Sequence, residues 1–241
     1  MNSKLLNEKG LLNYISGSEY DISYEREREK VNDYIDNILK SLKANVEYRY
    51  FAFQTHGDNI EYCDGKRGED FPLGKIFYHT DGLITDREDI ALIIKFADCT
   101  PILLYDPIKK VQASLHSGWR GTVKRISEKA IDKMVKDFNC SRENIFAFIG
   151  PSIDMENYEV GPEVYEAFKD FKNRDKFFVP FKEKYKLSMI DANKDILLSC
   201  GIDENKMEIS KISTYNSLSL NSARRQKENY KLNCILSIIK K

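Results

Sequence analysis

Residues 24–43 read YEREREKVNDYIDNILKSLK, with Val31, Tyr34, Ile35, Ile38, Leu39 and Leu42 as the regularly spaced apolar positions. Spacings of three and four put these side chains on one face, so the pattern predicts an amphipathic helix over 24–43 with a solvated, charged opening. The rhythm then changes to short aromatic and β-branched runs. YRYFAFQ and NIEYC predict two strands, separated by a THGD loop that carries His56 at a strand end. In IALIIKFADCTPILLYDP, the apolar runs 90–94 and 101–105 have the length of buried strands, and the polar pair Asp98 and Cys99 interrupts them.

VQASLH predicts a further strand. GTVKRISEKAIDKMVKDF repeats apolar positions at Val123, Ile126, Ala130, Ile131, Met134 and Phe138, which predicts a second amphipathic helix beginning near Thr122. The stretch HSGWRGT, 116–122, therefore spans a strand-to-helix junction. IFAFIGP reads as a strand stopped by Gly150 and Pro151, and GPEVYEAFKDF as a helix with Pro162 in its first turn. DANKDILLSCG predicts a helix from near Asp191 to Gly201. MEISKI and CILSII complete the strands, with NSARRQKENY as a polar connection or short helix. No repeat, low-complexity tract or long linker interrupts 1–241, so the pattern implies a single α/β (α+β) domain, its mixed β-sheets flanked by helices.

Charge narrows the functional classes. Lys plus Arg and Asp plus Glu both total 38, so no global field draws in nucleic acid or an anionic membrane, and any anion must be held locally. The five cysteines, Cys63, Cys99, Cys140, Cys200 and Cys234, are odd in number and scattered, which fits a reducing compartment rather than a disulfide framework. No apolar run reaches membrane-spanning length, and the first residues lack the apolar core of a secretory signal. A cytoplasmic, soluble protein is the expectation, as a monomer or a homodimer.

Candidate chemistry gathers at the strand ends. His56, Cys99 and His116 each fall at the end of a predicted strand or in the loop beside it, where several strands can converge. Two imidazoles and a thiolate suit zinc, and three protein ligands leave a fourth position open, as in catalytic rather than structural sites. Two other readings use the same residues. They are separate, with Cys99 a small buried hydrophobe, or Cys99 is a nucleophile with His116 or His56 as base and Asp98 or Asp81 as orienter, a metal-free Cys-His hydrolase. His79 is the third histidine and either replaces a ligand or bonds within a turn. Gly118 and Gly121 permit close backbone approach at a helix start, and Arg120 adds a forked donor for phosphate. The alternative is a tight turn with Arg120 in a surface ion pair. Arg224 and Arg225 form a second candidate anion clamp.

Taken in order, QTHGD, TDGLIT, ADCTPILLYDP, HSGWRGT, IGPSIDMENYEVG and NSARR resemble the laccase-domain family, also known as multicopper polyphenol oxidases and peptidoglycan editing factors. The likeness is clearest over 54–241. It implies a zinc held by His56, Cys99 and His116, and purine nucleoside phosphorolysis of adenosine, inosine and methylthioadenosine to free base and a ribose 1-phosphate. It also implies an adenosine deaminase activity at the same site, or a role in editing peptidoglycan precursors. For phosphorolysis, Arg120, the junction amides and Arg224 are the expected holders of phosphate. For deamination, Asp98 is the expected proton carrier. Three histidines cannot furnish a multicopper cluster, so copper enters only as a substitute for zinc at the single site. The chain departs from the family where a Thr-Arg-Gly-Gly-like loop is expected and YISGSEYDISYERERE stands, where SIDMEN follows IGP, at Asn221, and at YKLNC. These departures leave the three ligand positions intact and bear on nucleoside specificity and turnover.

Overall fold

The computed structural model describes residues 1–241. Its strands, in chain order, are β1 (Leu11–Ile15), β2 (Tyr48–Phe53), β3 (Ile60–Tyr62), β4 (Glu69–Phe71), β5 (Gly74–Tyr78), β6 (Gly82–Thr85), β7 (Ile90–Phe96), β8 (Thr100–Asp106), β9 (Val111–Ser117), β10 (Phe146–Ile149), β11 (Glu159–Val160), β12 (Phe178–Phe181), β13 (Lys184–Leu187), β14 (Met207–Ile209) and β15 (Asn233–Ile239). The helices are α1 (Lys4–Glu8), α2 (Tyr24–Glu27), α3 (Lys30–Ser41), α4 (Trp119–Val123), α5 (Ile126–Phe138), α6 (Pro162–Ala167), α7 (Met189–Ser199) and α8 (Ala223–Gln226).

Two six-stranded mixed sheets dominate, in the orders β1-β15-β7-β2-β5-β4 and β14-β10-β8-β9-β6-β3, with a small third sheet, β11-β13-β12. They form layers because their central strands are apolar on both faces. On β7, Leu92, Ile94 and Phe96 point into the core between the large sheets, while Ala91 and Ile93 pack under α3 with Ile35 and Ile38. On β8, Leu103 and Tyr105 join that inter-sheet core, and Ile102 and Leu104 face the core beneath α5 and α7, with Ile131 and Ile196. Each such side chain removed from water contributes roughly 1.5–3 kcal/mol before the entropy of ordering it is charged.

The structure departs from the periodicity in three places. The 24–43 helix is two, broken at Arg28 (φ 52°), because the charged run offers no apolar anchor until Val31. The 122–138 helix is likewise two. The first begins at Trp119 with Gly118 as its N-cap, and Arg125 in the left-handed region (φ 58°, ψ 47°) lets the second lay its stripe on the sheet. The helix expected from Asp191 starts at Met189, where the Ser188 hydroxyl accepts from Asp191 N–H. Strands β1, β4 to β6 and β11 to β13 went unread, being short or mostly one residue in two polar.

Candidate metal centre and its cleft

Three turns converge where the two large sheets meet. His56 follows the end of β2, Cys99 lies in the tight turn between β7 and β8, and His116 stands near the end of β9, in register with Pro101 across the β8–β9 pair. The candidate ligand atoms of these three all lie within 4.8 Å of one another. The imidazoles meet edge to face with centroids 5.0 Å apart. His79, exposed in the turn after β5 (φ 51°), stands outside the cluster.

Asp81 organises this convergence from a fully buried position. Its carboxylate accepts backbone N–H bonds from Thr55 (3.1 Å), His56 (3.0 Å) and Gly57 (2.7 Å), which fix the loop and hold His56 at φ 58°. One oxygen also lies 2.8 Å from His116 Nδ1. An ionised carboxylate only accepts, so Nδ1 carries a proton and Nε2 is the nitrogen turned toward Cys99, the carboxylate–histidine arrangement that orients metal ligands. Burial alone would raise the Asp81 carboxyl; His116 and the backbone donors outweigh it and bring it below its ordinary value.

Electrostatics prepare the thiol. Burial opposes the Cys99 thiolate, yet the imidazoles of His116 and His56 bring its pKa down to about 6. Burial likewise opposes the His116 imidazolium, and Cys99 with Asp81 lifts it to about 9. The donor set is thus one thiolate and two imidazoles, one of them with its remaining nitrogen already committed, and this fits zinc. Gly118 makes room for it. A Cβ there would stand 3.0 Å from His56 Cδ2 and 3.1 Å from Cys99 Sγ. Gly121, by contrast, packs on backbone: a Cβ would lie 2.8 Å from the Gly57 carbonyl oxygen.

A cleft of about 300 Å³ opens on the cluster. Its apolar walls include Phe53, Phe96, Tyr230 and Leu232, and its polar groups include Gln54, Lys95 and Glu25 with the three candidate ligands. Phe53 and Tyr230 expose much of their rings, 42% and 37%.

The remaining residues singled out from the sequence fall around this cleft rather than in it. Arg120 is exposed, with its guanidinium 4.2 Å from the Trp119 ring centroid. Arg224 is exposed beside Tyr158 and donates weakly to the Glu159 carbonyl at 3.4 Å. Arg225 is a staple, its guanidinium donating to the carbonyls of Thr214, Tyr215, Ser217 and Leu220. Asp98, at φ 86°, accepts from Thr214 Oγ1 and from Arg224 N–H, both at 2.6 Å, and so ties the β7–β8 turn to the loop before α8. Sequence reasoning missed Lys95, which reads as an ordinary polar break in an apolar strand. It named Asp81 only as one of two candidate orienters, although the residue begins the DGLIT block.

The chain is similar to known proteins across this site. A family model described as multi-copper polyphenol oxidoreductase laccase matches residues 14–235. A purine nucleoside phosphorylase of Bacteroides thetaiotaomicron is 37% identical over 144 residues, 58% of this chain and 53% of that protein. A purine nucleoside phosphorylase of Clostridium acetobutylicum is 33% identical over 187 residues, 78% of this chain and 73% of that one. The match thus spans about half the Bacteroides protein and nearly three quarters of the clostridial one. An adenosine deaminase from an unknown prokaryote is 36% identical over 149 residues, 60% of this chain and 56% of its own. Among solved structures, a hypothetical protein, YfiH, of Bacillus licheniformis superposes with a TM-score of 0.82 at 28% identity, covering 87% of this chain and 81% of that one.

Proposed function

Since the chain belongs to the multi-copper polyphenol oxidoreductase laccase family, we propose that it is a zinc-dependent purine nucleoside phosphorylase acting on adenosine, inosine and methylthioadenosine. The observation that carries this reading is the His56–Cys99–His116 cluster at the base of an aromatic-walled cleft, in a chain whose relatives are named for that activity. The oxidase description does not suit the residues, since the whole chain has three histidines and two of them are spent on one cluster.

Phosphorolysis joins a phosphate oxygen to C1′ as the C1′–N9 bond breaks. The bonding pair leaves with the purine, which takes up a proton. The protein's share is orientation and charge. Phe53 and Tyr230 offer exposed faces for a flat base, and exclusion of water by the bound base strengthens every polar contact at the base of the cleft. Zinc held by His56, Cys99 and His116 would supply positive charge beside the reacting centre. Asp81 holds two of those ligands in place, and Asp98 acts as a positioning residue for the loop that carries Arg224. The similarity to an adenosine deaminase supports hydrolytic loss of the purine amino group as a second activity of this site.

The test pairs elemental analysis with phosphate-dependent base release from inosine and adenosine, on the unmodified chain and on Cys99→Ala. About one zinc per chain, lost in the variant together with base release, is the expected result. Zinc without base release would replace phosphorolysis with another use of the centre, and deamination is read separately as ammonia set free from adenosine without phosphate. An unmodified chain that takes up no metal would favour a thiol hydrolase.

A further inference from the structure

Lys95 is the one lysine or arginine lining the cleft, and nothing in the protein pairs with it. It continues the Ala91 and Ile93 face of β7 beyond the cover of α3, and its backbone is clamped on both sides by Gln54. The Gln54 amide donates to the Lys95 carbonyl at 2.7 Å, and the Lys95 N–H donates to Gln54 Oε1 at 3.0 Å. Elsewhere the lysines that line strands are neutralised, as Lys75 is by Asp70 and Lys184 by Glu159. The Lys95 ammonium has no ion pair and no hydrogen bond within the chain. Glu25, the carboxylate that shares the cleft, forms no ion pair with that ammonium and acts on it only through space. Burial accordingly lowers the amine's pKa, with Glu25 acting weakly against the shift.

A half-buried cation without a partner carries a desolvation cost, and one lining the cleft with Phe53 and Leu232 is matched when a ligand brings the negative charge. The three arginines that the sequence offered for an anion, Arg120, Arg224 and Arg225, lie outside the cleft lining. The aromatic walls suit the base and sugar, which carry no charge.

We propose that Lys95 is the residue that binds inorganic phosphate in this cleft and orients it toward the nucleoside held beside the His56–Cys99–His116 cluster. The assignment rests on the phosphorylase reading for the role of the phosphate, though binding is measurable without turnover.

The zinc-loaded chain is compared with Lys95→Met and Lys95→Arg by calorimetric titration of inorganic phosphate and by separate KM values for phosphate and inosine. Lys95→Met should weaken phosphate binding and raise the phosphate KM by about tenfold or more, the loss of one charge-assisted contact, with the inosine KM changed less than about threefold. Lys95→Arg should restore most of the phosphate affinity. On the unmodified protein, saturating phosphate should slow acylation of Lys95, which keeps the question open to measurement if a variant folds poorly. Unchanged phosphate affinity in Lys95→Met, or a rise confined to the inosine KM, overturns the assignment. Absence of base release by the unmodified enzyme overturns the phosphorylase reading instead, and the calorimetry then still decides whether Lys95 holds phosphate.

Discussion

At the scale of single residues, the centre is a set of groups whose charges are arranged before any metal arrives. Metal-free Cys99 faces two imidazoles, and its pKa of about 6 against an ordinary value of 9.0 makes it a thiolate at neutral pH. Alkylation of the stripped protein should therefore be half-maximal near pH 6 and fall about tenfold for each unit below it, since only the thiolate reacts. Mass spectrometry of the iodoacetamide adduct reads this directly, and a midpoint near 9 would show that the imidazoles do not reach the sulfur. Zinc should suppress the reaction. His56, Cys99 and His116 were legible in the sequence because each is a chemically distinctive residue at a strand end. Lys95 was not, since its significance lies in the partners it lacks, and that is a property of the folded neighbourhood.

At the scale of elements, the junction of β9 and α4 shows why the chain spends a glycine there. Gly118 has an ordinary φ of −76°, so alanine is acceptable to its backbone, but the added methyl would press on His56 and Cys99 together. Gly118→Ala should fold with a thermal midpoint close to that of the unmodified metal-free protein and bind zinc at least about tenfold more weakly, in the range found when the surroundings of a metal ligand are disturbed. Competition against a chromogenic chelator measures the second quantity, and undiminished affinity would mean that the junction has slack. The long buried strands β7 to β9 and the stripes of α3 and α5 were readable from periodicity. The breaks at Arg28 and Arg125 were not, because a left-handed residue inside a helical pattern is set by what each half must pack against. The hairpin β12–β13 escaped for a simpler reason: Lys182 at φ 54° supplies its turn without the usual glycine or asparagine.

At the scale of the molecule, the site lies where two sheets and their helices close on a shared core, so its integrity depends on segments far apart in the chain. Mixed sheets flanked by helices followed from the alternation of strand and helix signals, whereas strand order did not, since nothing local states which strand sits beside which. The order has a kinetic side. β15 is inserted between β1 and β7, and the Cys234 N–H donates to Ser16 Oγ across 218 positions of sequence. Until β15 arrives, β1 lacks its neighbour and β7 carries an open hydrogen-bonding edge, a template for wrong pairing. Tyr230 and Leu232, walls of the cleft, arrive with it. Ribosome-bound chains stalled with residues 1–229 outside the exit tunnel should remain protease-sensitive and hold zinc poorly, although all three ligands have been made, and chains extended through Ile239 should become resistant. Protection at 229 would show that the first sheet can close without its inserted strand. On the biosynthetic clock, then, the cleft is finished long after its candidate ligands are translated, and a metal bound there would be taken up only once β15 has been laid down.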